Sequence, residues 1–285
     1  MNSPLNKLFA GRTLLIATKH KKERVISPIF EKEFGVHCVV SQNFDTDLLG
    51  TFSGEIERKK SPLETVKEKC LLAMEANQCD LAIASEGSFG PHPTLFFVPA
   101  DDEYLIFIDK KNNLEIVARI ISTDTNFCQT EIKKEEELAK FAQEIGFPSH
   151  GVLLKRSGAK DNLIRKDFAS LDQLVKAYNE LNDNDSTITL ETDMRAMRNP
   201  TRMKVIEETA HQLAKKIKST CPSCKTPGFS ITDSKKGLPC SLCGSPTNST
   251  LLHTYRCLSC DYSEDKMYPN DVKTEDPMYC NFCNP

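Results

Sequence analysis

The sequence predicts an α/β protein: a mixed sheet with flanking helices, followed by a small cysteine-rich unit. Three observations carry this. Short apolar runs alternate with stretches of helical period. Three β-rich segments then follow one another over short links. Last, most of the 12 cysteines fall into four Cys-x-x-Cys pairs near the end of the chain.

The elements follow in order. Residues 14–17, Leu-Leu-Ile-Ala, form a short buried strand. Residues 23–34 place Val25, Ile26, Ile29 and Phe30 at helical spacing, and Gly35 closes that helix. A second strand covers 36–40. The polar stretch 42–60, with Gly50 and Gly54, is expected to be a long loop. Ser61 then caps a helix whose first position is Pro62 and whose Glu64 completes a capping box. Leu63, Val66, Cys70 and Met74 are its buried stripe. Residues 81–84 form another apolar strand that is expected to end there and run into a polar segment at 85–92. Strands are expected at 95–98, 104–108 and 115–121, antiparallel across links such as 110–113. A helix over 133–145, a strand at 152–154, a helix opened by Ser170 and Gln173, and a strand at 187–190 come next. Asn199 and Pro200 start a helix with the stripe Met203, Ile206, Ala210, Leu213 and Ile217. The domain boundary is expected near Lys218, giving an α/β domain over 1–218 and a cysteine-rich domain over 219–285.

The four pairs are Cys221/Cys224, Cys240/Cys243, Cys257/Cys260 and Cys280/Cys283. A two-residue spacer aims both thiolates at one cation, and two such turns complete a tetrahedral sulfur shell. The tail is therefore expected to be a double zinc ribbon holding two structural zinc ions. Disulfides and an iron–sulfur cluster are the competing uses of these cysteines. Sequential pairing joins the first knuckle to the second and the third to the fourth. Nested pairing joins the second to the third and the first to the fourth. Residues 240–260 resemble a complete hairpin, and an outer site would tie the chain end back to the long helix, which favours nested pairing. Closed sites of this kind hold a fold together and leave no position open for chemistry.

The net charge of −3 argues against nonspecific nucleic-acid binding by the whole chain. No stretch approaches a membrane span, and no signal peptide is evident, so the cytoplasm is the expected compartment. Cys38 and Cys70 sit in apolar patterns and are expected to act as small core residues.

In an open α/β sheet, ligands bind beyond the carboxyl ends of the strands. The polar residues just past each expected strand are thus the candidates. After the first strand come Thr18, Lys19 and Lys22, where a helix start and lysines favour an anion. After the third come Glu86, Gly87 and Ser88. Glu86 is placed to hold a cation or act as a base, and Gly87 permits close backbone approach. Thr125 and Asn126 follow a later strand. Glu191 and Asp193 can reach one metal ion, and Arg195 can clamp phosphate. The competing reading of this last group is a salt-bridge cluster. Together these residues suit a phosphorylated ligand with magnesium or manganese.

Two resemblances follow from longer motifs. "ETDMRAMRNPTRM", "CPSCKTPGF", "GLPCSLCGSPT" and the closing "YCNFCNP" resemble an uncharacterised bacterial protein family, as do "STDTNF" and "FPSHG". Further, "LLIATKHKKE", "SPLETVKEKCLLAM" and "LAIASEGSFG" resemble the inosine/xanthosine triphosphate pyrophosphatase superfamily. That likeness implies a superfamily-like fold and makes Thr18, Lys22, Glu64, Lys69 and Glu86 phosphate or metal contacts. The chain departs from the superfamily pattern at His20, at Glu23 and at Ala84-Ser85.

The leading expectation is an α/β enzyme or binder of a nucleotide-like phosphorylated ligand, with catalytic Glu86, Glu191 and Asp193. The rival is a nucleic-acid or protein-binding module without catalysis. Nucleic acid is not favoured by the tail, whose acidic side chains slightly outnumber its basic ones and whose zinc–thiolate sites add negative charge.

Overall fold

The computed structural model describes residues 4–41, 60–158, 162–182 and 186–285. The expected loop at 42–60 lies, except for Lys60, outside the described residues. The chain divides into two compact units, Met1–Leu213 and Ala214–Pro285.

The first unit opens with a short helix α1 (Pro4–Phe9), strand β1 (Thr13–Ala17), helix α2 (Glu23–Phe34) and strand β2 (His37–Val40). Helix α3 (Pro62–Ala76) leads to strands β3 (Leu81–Pro91), β4 (Pro99–Asp109) and β5 (Leu114–Ser122). These strands form one sheet in the order β2-β1-β3-β4-β5. The β1 strand is parallel to β2 and β3, whereas β3, β4 and β5 pair antiparallel, so the sheet is mixed. Helix α2 ends on Gly35 at φ 66°, a left-handed conformation that suits glycine. Helix α3 begins with the capping box of Ser61 and Glu64. Val66, Cys70, Ala73 and Met74 of α3 pack on Leu15, Ala17, Ala82, Ala84, Ile106 and Ile108. Phe9 meets Phe34 and Phe107 edge-on at 5.7 and 5.6 Å. The continuous apolar runs of β1 and β3 suit central strands covered on both faces.

Strand β6 (Gln129–Ile132), helix α4 (Glu135–Ile145), strands β7 (Val152–Gly158) and β8 (Leu163–Arg165), helix α5 (Leu171–Leu181) and strand β9 (Ser186–Thr192) follow. They correct the expectation of a single sheet. These four strands make a second, antiparallel sheet in the order β6-β9-β7-β8. Val152 with Leu154, and Ile188 with Leu190, give it one apolar face, which α4 and α5 cover with Leu138, Phe141, Leu174 and Tyr178. Strands that alternate in this way need cover on one side only.

Two further expectations are corrected here. Residues 85–91 continue the strand rather than follow its end, because β3 pairs with β4 along its whole length, from Leu81–Asp109 to Pro91–Pro99. Residues 95–98 are not a strand. They belong to the connection between β3 and β4, where His92 Nδ1 accepts hydrogen bonds from the Thr94 and Leu95 N–H groups. Phe96 and Phe97 lie exposed there.

Helix α6 (Pro200–Lys218) follows a short 3-10 turn. The second unit carries strands β10 (Ser230–Lys236), β11 (Thr250–Arg256) and β12 (Ser263–Met267) as one antiparallel sheet in that order. Strand β10 pairs with β11 as far as Lys236. Among the described residues no helix is long and apolar enough to cross a membrane.

Candidate metal centres and a buried ion cluster

The knuckles in the second unit are local turns. The Cys221 N–H donates to Thr226 O, and the Lys225 N–H returns to Cys221 O. The second knuckle repeats the pattern with Cys240, Ser245 and Gly244. Lys225 and Gly244 both take positive φ, 63° and 72°, which turns the chain tightly after each pair. The Leu242 N–H points at Cys240 Sγ, 3.4 Å away, and the Ser259 N–H at Cys257 Sγ, 3.3 Å away.

The eight sulfurs form two tetrads. Cys221, Cys224, Cys257 and Cys260 make one; Cys240, Cys243, Cys280 and Cys283 make the other. Within each, all four sulfurs lie within 4.8 Å of one another. The near pairs are Cys224–Cys257 at 3.5 Å, Cys243–Cys280 at 3.6 Å, and Cys221–Cys260 and Cys240–Cys283 at 3.8 Å. A tetrahedron with zinc–sulfur bonds of about 2.3 Å has edges of about 3.8 Å. A disulfide would bring two sulfurs to about 2.05 Å, and all eight thiols are free.

The tetrads are interleaved, so neither the nested pairing favoured by the sequence nor the sequential one holds. Two separate ribbons are likewise replaced by one sheet shared between both tetrads. Strand parity is the cause. One strand, not a hairpin, separates each knuckle from the next. Strand β10 runs from the first knuckle to the second, and β11 returns antiparallel, pairing Ser230 with Arg256 and Lys236 with Thr250. The first and third knuckles therefore share one end of the sheet. At the other end, Glu275 pairs with the segment before the second knuckle. Its N–H donates to Pro239 O, and its carbonyl accepts from the Ser241 N–H. That pairing brings the last knuckle beside the second.

The thiols of each tetrad are in mutual conflict as protonation sites. The Thr226 hydroxyl and N–H draw the Cys224 thiol down to about 6, and Ser245 does the same for Cys243, again to about 6. At Cys260 the Tyr262 N–H pulls down, but desolvation and the neighbouring sulfurs push the thiol up to about 12. Cys243 is the main cause that pushes Cys283 up to about 12. Four thiolates repel one another at this spacing. A dication at the centre removes the conflict, so the donor set fits zinc.

In the first unit, charged side chains converge where β1 ends beside the middle of β3 and β4 begins. Lys22, at the start of α2, is buried, and its Nζ donates to Ser85 Oγ at 2.8 Å. Lys69 of α3 is also buried. It pairs with Glu86 and donates to Ser85 O at 3.3 Å. Burial first, and then repulsion by Arg202, drive the Lys22 ammonium down to about 7.

The two faces of β3 hold different groups. Glu86 faces Lys69, on the α3 side. Ser85, Gly87 and Phe89 alternate onto the other face, opposite Leu105, Glu103 and Asp101 of β4. Arg202, fully buried at the start of α6, donates from Nε to Glu103 Oε1 at 2.6 Å and from Nη1 to Met194 O. Its guanidinium lies 5.0 Å over the Phe89 ring. Its own N–H donates to Asn199 Oδ1 at 3.0 Å, and Asn199 Nδ2 donates to Asn126 Oδ1 at 2.8 Å. Gly87 is needed here for space. A Cβ at this position would lie 2.3 Å from Glu103 Oε1 and 2.6 Å from Arg202 Nη2. Asp101 and Glu103 have no exposed surface, yet both Asp101 oxygens and Glu103 Oε2 lack a hydrogen-bond partner. A buried polar atom without a partner typically costs about 1–3 kcal/mol, and more when charged. Burial and then Glu103 push the Asp101 carboxyl up to about 8.

The expected site residues divide into groups. Thr18, Lys22, Lys69 and Glu86 lie buried, just past β1, at the start of α2, on α3 and midway along β3 in turn. Lys19 is exposed and Ser88 half-buried. Glu64 is spent on its cap, and bonds to Ser61 hold its carboxyl below the usual range. Glu191 pairs with Lys155 in the second sheet. Asp193 is clasped by Arg195, which also binds Asp167, as does Arg198. Desolvation opposes the Arg195 charge, but these carboxylates overcome it and raise its pKa. Thr125 Oγ1 accepts from the Phe127 N–H. Asn126 alone of this second group reaches the buried cluster, through Asn199. Glu191, Asp193 and Arg195 thus form local ion pairs and do not join Glu86. Asp101 and Glu103 escaped sequence reasoning. Their signal is a carboxylate pair two residues apart, leading straight into the apolar run of β4.

The fold and the tetrads define a two-part protein, an α/β unit followed by a cysteine-tetrad unit. The chain belongs to the family described as Domain of unknown function (DUF6671), matched over residues 69–285. No curated protein matches. Among solved structures, protein VC0702 from Vibrio cholerae is 11% identical with a TM-score of 0.27, over 48% of this chain and 73% of that one.

Proposed function

We propose that the α/β unit binds a phosphorylated, nucleotide-like small molecule with a divalent magnesium or manganese ion, and that the tail is a zinc-held scaffold. The observation that carries this reading is the convergence of buried Lys22 and Lys69 on Ser85, midway along β3 and one residue past the carboxyl end of its parallel neighbour β1. The carboxyl end of a strand such as β1 is where open α/β sheets take ligands. The sequence likeness to the inosine/xanthosine triphosphate pyrophosphatase superfamily supports the same choice and an ITPase-like fold. In this reading the lysines neutralise phosphate charge, the divalent ion polarises the phosphate, and Glu86 orients a water. The test is a melting curve of the zinc-replete protein with nucleoside triphosphates and magnesium, alongside an assay for pyrophosphate release. A melting shift or release supports the reading; neither effect across purine and pyrimidine triphosphates defeats it.

A second reading takes the tail as a contact module for another protein. Leu242 and Phe282, inside two knuckles of one tetrad, are 75% and 76% exposed. Salt-dependent RNA or DNA binding at near-physiological ionic strength would replace this reading with a nucleic-acid one.

A further inference from the structure

We infer that Asp101 and Glu103 form an oxygen-donor site for one divalent cation of the magnesium or manganese type, on the sheet face opposite Glu86. The inference deepens the reading above by giving its cation a place. It stands on its own geometry.

Three carboxylate oxygens, two from Asp101 and one from Glu103, are buried without a hydrogen-bond partner. The two residues are next but one on β4, so their side chains leave the same face and both can reach one ion. Glu103 is already oriented by Arg202, which binds its other oxygen. The strand opposite presents Gly87, so no side chain from that position covers the Glu103 carboxylate. The donors named here are all oxygens, with no cysteine or histidine among them, which selects a hard ion over zinc or copper. Magnesium commonly takes one or two carboxylates and completes its shell with water and phosphate oxygens. A ligand phosphate held by Lys22, whose Nζ lies at Ser85 on this same face, would approach such an ion from beyond the end of β1. The Glu86 carboxylate is engaged by Lys69 on the other face and is not needed as a ligand.

The competing explanation is a proton in place of the ion, held between two neighbouring acids. The experiment separates the two. Manganese binding to the zinc-replete full chain is measured by loss of the free-ion electron paramagnetic resonance signal, with no nucleotide present. The expected result is one manganese per chain, displaced by excess magnesium. Asp101→Asn and Glu103→Gln should each weaken binding at least tenfold. Asp102→Asn should bind as the wild type does, because Asp102 sits on the opposite face and pairs with Arg119. In the wild type, manganese should also broaden the backbone amide resonances of residues 85–89 and 101–105. That readout locates the ion even if the variants do not fold. No bound manganese, broadening confined to other residues, or unchanged binding in both variants would overturn the inference. Nucleotide binding without manganese binding would defeat this site and leave the ligand reading standing. Manganese binding without any nucleotide effect would do the reverse.

Discussion

The sulfurs of Cys221 and Cys260 stand 3.8 Å apart, although the Cys240–Cys243 knuckle lies between them in the chain. Each tetrad therefore spans β10 and β11 from one end of their sheet. The two tetrads sit at opposite ends of the same sheet, where ions bound by them would brace it. Past the end of α6, Phe229 and Leu238 are the only hydrophobic residues other than cysteine that are buried among the described residues. Even with Ala214 and Ile217 of α6 in the same unit, this is a small core for three strands. Zinc held by the tetrads would supply stability, which for a structural site amounts to roughly 10 kcal/mol at neutral pH.

Paired serine substitutions will report the pairing directly. Cys221→Ser with Cys260→Ser should leave one zinc per chain by native mass spectrometry. Cys221→Ser with Cys240→Ser should leave none. Sequential pairing reverses the second result, because those two cysteines would then share an ion. Nested pairing predicts that Cys221→Ser with Cys283→Ser retains one zinc, whereas the interleaved tetrads lose both. By the same logic, Cys283→Ser alone should disturb Cys240 and Cys280 and leave the Cys221 site loaded.

Gly87→Ala tests the close approach between β3 and the Arg202–Glu103 pair. The new methyl would collide with Glu103 and Arg202, and neither can retreat easily from a fully buried site. The expected loss is about 1–3 kcal/mol in urea unfolding. Gly90→Ala, whose Cβ would meet nothing within 4 Å, is the control and should change stability by less than about 1 kcal/mol. Equal changes at both positions would show that the Arg202–Glu103 pair does not set the need for glycine at 87.

Local signals and distant ones differ in how well the sequence reports them. The bounds of α2 could be read because an apolar stripe ends at a glycine cap. The start of α3 could be read because Ser61, Pro62 and Glu64 stand within four residues of one another. Metal ligation could be read because Cys-x-x-Cys is a local geometric device. The pairing of the knuckles could not, since it depends on which way β11 and the Glu275 segment return. The second sheet was hidden for a similar reason: its neighbours β9 and β7 are separated by β8 and α5. Asp101 and Glu103 fell outside the expected strand, which began at Tyr104. Their place inside depends on Arg202, 99 residues away in the chain from Glu103, and on the absence of a side chain at Gly87.

Asp109 should give the first unit a distinct acid response. Arg12 grips its carboxylate with two hydrogen bonds, 2.6 and 2.8 Å, and Asn112 adds another at 2.6 Å. Desolvation works against the charge, but Arg12 and Asn112 outweigh it, so the carboxyl sits below its usual range. A depressed carboxylate stabilises the fold above its unfolded pKa of about 3.9, and that contribution is lost as pH falls through the folded value. Asp109→Ala should cost about 3 kcal/mol at pH 7. The gap between variant and wild type should narrow below about pH 4. A gap that stays constant from pH 7 down to pH 3 in urea unfolding would rule out the ion pair as its source.

Lys22→Met separates a structural lysine from one kept for a ligand. The ammonium is buried at the start of α2 and titrates near 7, far below an ordinary lysine, because burial and Arg202 both oppose its charge. The unfolded chain therefore binds more protons than the folded one between about pH 7 and the ordinary lysine value of about 10.4. Across that window the stability of the wild type should rise with pH, by up to about 1.4 kcal/mol per unit. Below about pH 7 the full penalty applies, with the lysine charged in both states. Methionine matches the lysine stem and carries no charge. The variant should thus unfold at higher urea than the wild type at pH 6.5, and the difference should shrink toward pH 10. If Lys22 also holds phosphate, the same variant should lose the melting shift produced by nucleoside triphosphate and magnesium. Greater stability with a retained shift would assign Lys22 to neither the ligand nor the fold, and would move the anion site to Lys69. Lower stability at pH 6.5 would mean that the Lys22–Ser85 bond outweighs burial, contrary to the depressed titration.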